Sequence, residues 1–225
     1  MSNLSIVTTA DGSKTIFNAE VGENYHSKHG ALQESQHVFL NSGLRYFLAG
    51  TEVDSVSILE VGLGTGLNFL LSADLCTAKQ IKLNYTGIEA YPLTEELIAQ
   101  TGYEEYISAP TWNSFLEAYP KSISAKVQLN SYVELHTANT QLTAFQSNEQ
   151  FDVIYFDAFA SIHQPEMWSE EAIRHTIQLL KTGGIFVTYA ITGNLKRMLK
   201  ALGLKVEKAP GAPGKREMLR ATKPL

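Results

Sequence analysis

Ile58-Leu59-Glu60-Val61-Gly62-Leu63-Gly64-Thr65-Gly66 decides how this chain reads. An apolar run that ends in closely spaced glycines is a buried strand running into a tight loop. In open α/β sheets such a loop lies at the carboxyl end of a strand, where ligands bind. The helix that follows offers unpaired N–H groups. The spacing is G-x-G-x-G, and Leu67 holds the place of the third glycine in a dinucleotide fingerprint. A P-loop needs a Lys-Ser/Thr pair, which is missing after Gly66. Glu60, one residue before Val61, would repel a pyrophosphate and suits an ammonium group, directly or through water. Glu60, Gly62, Gly64, Gly66 and Asn68 are therefore the first candidate ligand contacts.

Strands and helices alternate outward from this loop. Strands are expected at 56–61, 83–89, 151–157 and 185–189. Helices are expected at 66–78, 94–100, 169–180 and 194–201, the third capped by Ser169 with Glu170 and Glu171 in its first turn. Residues 127–136 read as a strand region, 140–145 as a short helix, and 204–207 and 217–221 as final strands. Between Pro110 and Pro120 a short helix is expected near 112–119. Lys181-Thr182-Gly183-Gly184 reads as the stop of the preceding helix. Alternating elements, apolar on both faces, imply a mostly parallel sheet covered on both sides. Upstream, 5–18 reads as a β-hairpin turning at Asp11-Gly12, and 32–48 as a helix with Gly43 as a possible break. The expected organisation is an N-terminal elaboration over 1–50 and one α/β domain over 51–225.

Composition narrows the function classes. The chain has 225 residues, 44% of them hydrophobic, and a formal net charge of −5. No apolar run approaches the roughly 18 residues of a membrane span, and no signal-peptide order opens the chain. A single cysteine, Cys76, leaves no internal disulfide and no cysteine-based metal cluster. No His pair has ligand spacing, so no metal is expected. A cytoplasmic protein is the expectation. The charge is unevenly spread: from Thr192 to Leu225 there are nine Lys/Arg against two acids. This end is either a polyanion-binding surface or a solvated face.

Two further strand ends carry acids. The second strand ends in Glu89, where a carboxylate can accept from both hydroxyls of a ribose. The fourth ends Tyr155-Phe156-Asp157-Ala158-Phe159-Ala160, followed by Gln164-Pro165-Glu166-Met167-Trp168. An acid there, among aromatic residues, can orient an amine or take its proton, while the rings exclude water and favour a cation. Asp157 is the candidate catalytic residue. His29, His136 and His163 read as polar fillers rather than bases. Tyr155 and Tyr189 stand as pocket wall or core. Trp168 stands either as a stacking platform for a base or as the anchor of a helix start.

The glycine loop is similar to motif I of class I methyltransferases, which implies S-adenosyl-L-methionine as cofactor and a Rossmann-like, mostly parallel seven-stranded sheet. In many of these enzymes the third strand leads into Gly-Asp-Ala, whose acid binds the adenine amine. Here Asn139, in Thr137-Ala138-Asn139-Thr140, takes that place and can accept through its amide oxygen.

Longer stretches resemble one family more closely. They are Tyr25-His26-Ser27-Lys28-His29-Gly30-Ala31-Leu32-Gln33-Glu34-Ser35, Glu60 to Phe69, Asp157-Ala158-Phe159 with Pro165-Glu166-Met167-Trp168, and Pro213-Gly214-Lys215-Arg216-Glu217-Met218. They resemble the methyltransferase unit of MnmC-type enzymes, which completes the 5-methylaminomethyl group of the tRNA wobble uridine. The resemblance implies methyl transfer to the primary amine of 5-aminomethyl(-2-thio)uridine in the tRNA anticodon loop. It puts Asp157 at the amine, Glu34 and the 27–30 loop in a segment closing over the site, and Phe159 and Trp168 beside the substrate. It makes Lys215 and Arg216 candidates for phosphate contact. Thr192 stands where the family leads one to expect lysine. A chain of this length has no room for an oxidase domain, so a separate enzyme is expected to supply the aminomethyl precursor. A small-molecule N- or O-methyltransferase and a non-catalytic cofactor- or RNA-binding module are the alternatives.

Overall fold

The computed structural model describes residues 3–225. Its centre is β4 (Ser55–Val61), which pairs in parallel with β5 (Lys82–Ile88) on one edge and with β8 (Phe151–Phe156) on the other. The sheet continues through β7 (Val133–Ala138) and the two-residue β6 (Val127–Gln128) on the β5 side. On the β8 side it continues through β9 (Leu180–Thr188), β11 (Glu217–Thr222) and β10 (Lys205–Pro210). The order is β10-β11-β9-β8-β4-β5-β7-β6. The five inner strands are parallel; β11, β10 and β6 run antiparallel to their neighbours. The sheet thus has eight strands rather than seven, the extra one being β6, which a turn folds back onto β7.

Side-chain alternation along the strands divides the core in two. Ile58, Tyr85, Val153, Tyr155 and Val187 point to one face, where they meet α3 (Leu67–Lys79) and α5 (Ala109–Ser122). Leu59, Val61, Ile154, Phe156 and Phe186 point to the other, against α6 (Glu170–Gln178) and α7 (Gly193–Ala201). This period of two puts Glu60 on the α3 face. Tyr155 is fully buried there, a core residue rather than a pocket wall.

The N-terminal elaboration has two parts. β1 (Leu4–Thr8) and β2 (Lys14–Asn18) form the expected hairpin, and β3 (Glu23–Asn24) adds a third strand before the helix begins. α1 (Ala31–Glu34), a π-helical segment (Ser35–Arg45) and α2 (Tyr46–Gly50) then make one continuous helix. It packs on α3 and across β8, β9 and β11. Gly43 does not break it. A Cβ there would lie 2.8 Å from the Tyr155 ring and 3.1 Å from Val187, so glycine lets the helix approach the sheet.

Other differences have equally local causes. α5 runs well past the short helix expected between the prolines. Pro110 stands in its first turn, where its missing N–H costs nothing, and Pro120 lies so near its end that the helix closes two residues later. Lys181–Gly184 does not stop a helix but belongs to β9, with Gly183 at φ 80° marking an irregularity. α4 (Glu95–Ala99) is capped by Thr94, and α6 by Ser169 as expected. Thr192 caps α7 by accepting from the Leu195 N–H at 3.1 Å. Its side chain is committed to starting a helix.

Gly43→Ala tests the close helix–sheet contact. Helix propensity favours alanine by about 1 kcal/mol, whereas overpacking a buried ring costs about 1–3 kcal/mol. The variant is expected to be less stable by urea denaturation; a higher midpoint than wild type would contradict the packing account.

Candidate functional site

The chain leaves β4 with β5 on one side and β8 on the other, so the carboxyl ends of these strands open a crevice. A cleft of about 1370 Å³ lies there. Its floor is Gly62 to Thr65, its walls are Ile88 to Thr94, residues 140–143 and Asp157 to Phe159, and residues 17–29 cover it. Sites for one small ligand are usually about 300–1,000 Å³; this one has room for a nucleoside-sized ligand and part of a second.

Backbone hydrogen bonds shape the floor. Gly62 N–H and Leu63 N–H both donate to the Ile88 carbonyl, at 3.0 and 3.2 Å. Gly62 has φ 86°, and a Cβ on it would lie 2.6 Å from the Asp157 carbonyl oxygen. A side chain at this position would push the loop off the end of β8. Gly64 faces the cleft beneath the Tyr25 ring. Its N–H donates to Glu89 Oε2 at 3.0 Å, and Tyr91 N–H donates to Oε1 at 3.0 Å. Burial raises the Glu89 carboxyl, and these backbone donors oppose the rise. Each Glu89 oxygen keeps a lone pair for a ligand hydroxyl. Gly66 lies outside the cleft: at φ 77° it starts α3, and its Cα faces Phe115.

Glu60 is not a wall of the cleft. It is fully buried beneath the glycine loop, accepting from Tyr85 OH (2.7 Å) and from Asn68 Nδ2 (2.7 Å). The same Asn68 nitrogen donates to Asp157 Oδ2 at 2.9 Å. The alternation of β4 turns Glu60 towards α3, away from the ligand space it was expected to meet directly or through water. Burial, then the charge of Asp157, raises the Glu60 carboxyl well above its ordinary value, against the pull of Tyr85 and Asn68. Asp157 does face the cleft. Burial raises its carboxyl, and Glu34 and Glu23 add to this, while Asn68 and Lys215 lower it.

The remaining candidates separate into those gathered at Asp157 and those held elsewhere. Glu34, 5% exposed, accepts from Ser27 N–H (2.9 Å) and from Lys215 Nζ (2.8 Å). Lys215 also lies over the Tyr189 ring, 4.1 Å from its centre. The lysine expected to reach outward to phosphate is thus turned into the cleft. Phe159 lines the cleft and meets Tyr25 edge to face, with centres 5.1 Å apart. Trp168 does not reach it. Its Nε1–H donates to the Phe159 carbonyl (2.8 Å) and its ring packs on Phe156 (5.0 Å), so it anchors the acid-aromatic loop. Asn139 is exposed outside the cleft and gives both its amide hydrogens to the carbonyls of Glu89 and Ala90 (3.1 Å each), while residues 140–143 form the wall. Arg216 is exposed. With Lys196, Arg197 and Lys200 it makes no ion pair among the described residues. The other basic groups of this end are taken up by Glu207, Glu217, Glu34 or backbone carbonyls. His29 packs against Gly214.

Two cleft residues were given no site role from the sequence. Tyr25 lies over Gly64, and Glu23 accepts from Ala160 N–H at 2.9 Å, tying the hairpin sheet to the acid-aromatic loop. Both come from a segment with no strand or helix pattern, which left no signal of direction.

Comparisons with known proteins show the family and the fold. A family model described as S-adenosyl-L-methionine-dependent methyltransferase matches residues 105–224. The tRNA 5-methylaminomethyl-2-thiouridine biosynthesis bifunctional protein MnmC of Magnetococcus marinus is 29% identical over 97% of this chain and 34% of its own length. That of a Marinomonas species is 31% identical over 86% of this chain and 30% of its own length. The chain therefore spans about a third of these curated relatives. The crystal structure of MnmC2 from Aquifex aeolicus superposes with a TM-score of 0.77 over 99% of this chain and 71% of that one, at 23% identity. At that identity the likeness establishes the fold. Among the described residues no helix is long and apolar enough to cross a membrane.

The buried Glu60 carboxyl has a thermodynamic signature. Its folded-state pKa is raised, so above about pH 4.5 the folded chain holds a proton that the unfolded chain has lost, and stability falls as pH rises. Glu60→Gln keeps partners for Tyr85 and Asn68 and removes this term. Urea midpoints between pH 5 and 8 should fall less steeply in the variant than in wild type; parallel curves would mean that Glu60 ionises as freely folded as unfolded.

Proposed function

The chain belongs to the S-adenosyl-L-methionine-dependent methyltransferase family, and from that premise we propose that it methylates the primary amine of 5-aminomethyl(-2-thio)uridine at the tRNA wobble position. The observation that carries the reading is Asp157, a strand-end acid facing a cleft with room for a nucleoside-sized ligand and part of a second, beside Phe159, Tyr189 and the Glu34–Lys215 pair. The names of the MnmC relatives support the same substrate.

The residues present fit the cofactor. Gly62 and Gly64 bring bare backbone to the cleft floor, and Glu89 presents its carboxylate at the end of β5 to bind the ribose hydroxyls. Residues 140–143 form the wall for the base. When bound, the cofactor supplies an electrophilic methyl group on a sulfonium. An alkylammonium has no lone pair, so the substrate amine must be neutral to react. Asp157 accepts the hydrogen bond that orients the amine, and receives its proton. Lys215, held against Glu34 and Tyr189, adds positive charge near Asp157 that disfavours an incoming ammonium. Tyr25 and Phe159, capped by the 23–29 segment, keep water from the reacting groups. In this reading residues 51–225 hold the cofactor and residues 1–50 close the site. Arg216 and the basic side chains of α7 meet the RNA backbone. A separate enzyme supplies the aminomethyl precursor.

The inward turn of Lys215 and the net charge of −5 favour a second reading, a small-molecule amine methyltransferase of the same fold. Salt separates the two, because affinity for RNA falls steeply as salt rises.

Transfer of labelled methyl to tRNA lacking the terminal methyl tests the proposal. Wild type should label it, and Asp157→Asn should lower kcat by about 10²- to 10⁴-fold while still binding cofactor. Labelling of a free aminomethyl nucleoside equal to that of tRNA, without salt dependence, would favour the second reading. An active Asp157→Asn would remove Asp157 from the reaction.

A further inference from the structure

Asn68 connects the buried Glu60 carboxyl to the cleft-facing carboxyl of Asp157. Its single amide nitrogen lies 2.7 Å from Glu60 Oε1 and 2.9 Å from Asp157 Oδ2. Two carboxylate oxygens facing one end of an amide require the nitrogen there, and its two hydrogens are then both used. The amide oxygen, also buried, has no hydrogen-bond partner among the described residues. A buried polar atom without a partner is costly, so this orientation is maintained by what the nitrogen gains. The backbone supports it: Ser72 Oγ donates to the Asn68 carbonyl at 2.8 Å and lies 3.2 Å from Tyr155 OH. Glu60 is held on its other oxygen by Tyr85. A chain of fixed contacts thus runs from Tyr85 through Glu60 and Asn68 to one oxygen of Asp157. The other, Oδ1, accepts no hydrogen bond from the described residues.

We propose that Asn68 is a positioning residue: it clamps Asp157 Oδ2 and leaves Oδ1 presented to the substrate amine. This extends the reading of Asp157 as the amine-facing acid and rests on it. It also reassigns Asn68 and Glu60, whose sequence positions pointed to cofactor contact. Glu60 acts at a distance, fixing the amide that fixes Asp157. The clamp has an electrostatic side too. Asp157 faces Glu60, Glu34, Glu23, Lys215 and Tyr189, and of these only Lys215 favours its charged form. The Asn68 donor is the second group that does so. It keeps the acid able to accept a proton while three carboxyls crowd it.

The test has one arm without substrate or cofactor. The Asp157 carboxyl carbon is followed by NMR titration of protein carrying labelled aspartate, its signal identified by its loss in Asp157→Asn. Removing the donor in Asn68→Ala removes a group that favours the carboxylate, so the midpoint is expected to move to higher pH. Asn68→Ser, which keeps a small polar group but loses the double donor, should do the same and serves if the alanine variant does not fold. In turnover of aminomethyl tRNA, kcat should fall by about 10- to 100-fold. Its acid limb should move with the NMR midpoint, and KM for the cofactor should stay within about threefold of wild type. In an Asp157→Asn background, Asn68→Ala should have no further effect on kcat. An unmoved midpoint, or an unchanged kcat, overturns the proposal. Weakened cofactor binding with the midpoint unmoved makes Asn68 a cofactor ligand instead. If wild type does not label this tRNA, the substrate reading falls, while the NMR midpoint still decides the clamp.

Discussion

The pairing of β4 on both edges by parallel strands is the constraint from which the site follows. Because β5 and β8 flank it on opposite edges, with Val61 paired to both Ile88 and Phe156, the three strands end side by side, and the chain must turn out of β4 between them. Only a backbone without side chains fits: Gly62 lies against the Asp157 carbonyl. The same turn brings Gly64 N–H to Glu89, so one loop ties together the two strand-end acids. Glycine here serves the meeting of strands first, and the open floor that a ligand uses is its consequence.

Beneath the loop the molecule tolerates an expensive arrangement. Glu60 and Asp157 are both held in surroundings that disfavour charge, and they share one amide donor. Apolar residues at 60, 68 and 85 would pack as well without the cost of buried polar groups. Retention of three polar groups in the core gives Asp157 a defined orientation next to the cleft. The two ends of the chain complete the enclosure from above. Glu34 on α1 holds Lys215 from the loop between β10 and β11, His29 packs on Gly214, and His37 reaches the Pro210 carbonyl at 2.7 Å. The N-terminal elaboration and the last hairpin therefore meet over the acid.

Much of the fold was legible because it depends on local pattern. Apolar-rich runs marked β4, β5, β8 and β9, and Ser169 marked the start of α6. The misreadings have physical reasons. Gly43 reads as a breaker where helix propensity alone counts, but against the flat Tyr155 ring a missing side chain is what allows contact. Pro120 reads as a stop, yet one proline in a last turn removes little. The hairpin strand β3 has two residues and no period to detect. Thr192 illustrates a different limit: judged by the lysine expected in its place it is a loss, whereas in the structure it caps α7.

The sequence by itself determined the parallel α/β sheet, the glycine loop, the strand-end acids Glu89 and Asp157 and the resemblance to a methyltransferase family, since each resides in contiguous residues whose order is their signal. Only the tertiary structure decided which side each of those residues faces. Alternation along β4 buried Glu60, and the packing of α3 made Asn68 a bridge between Glu60 and Asp157. Loop anchoring took Trp168 out of the cleft, and the meeting of the chain ends drew Lys215 into it. Direction and distance between segments far apart in sequence depend on how helices seat on the sheet, and no local pattern encodes that.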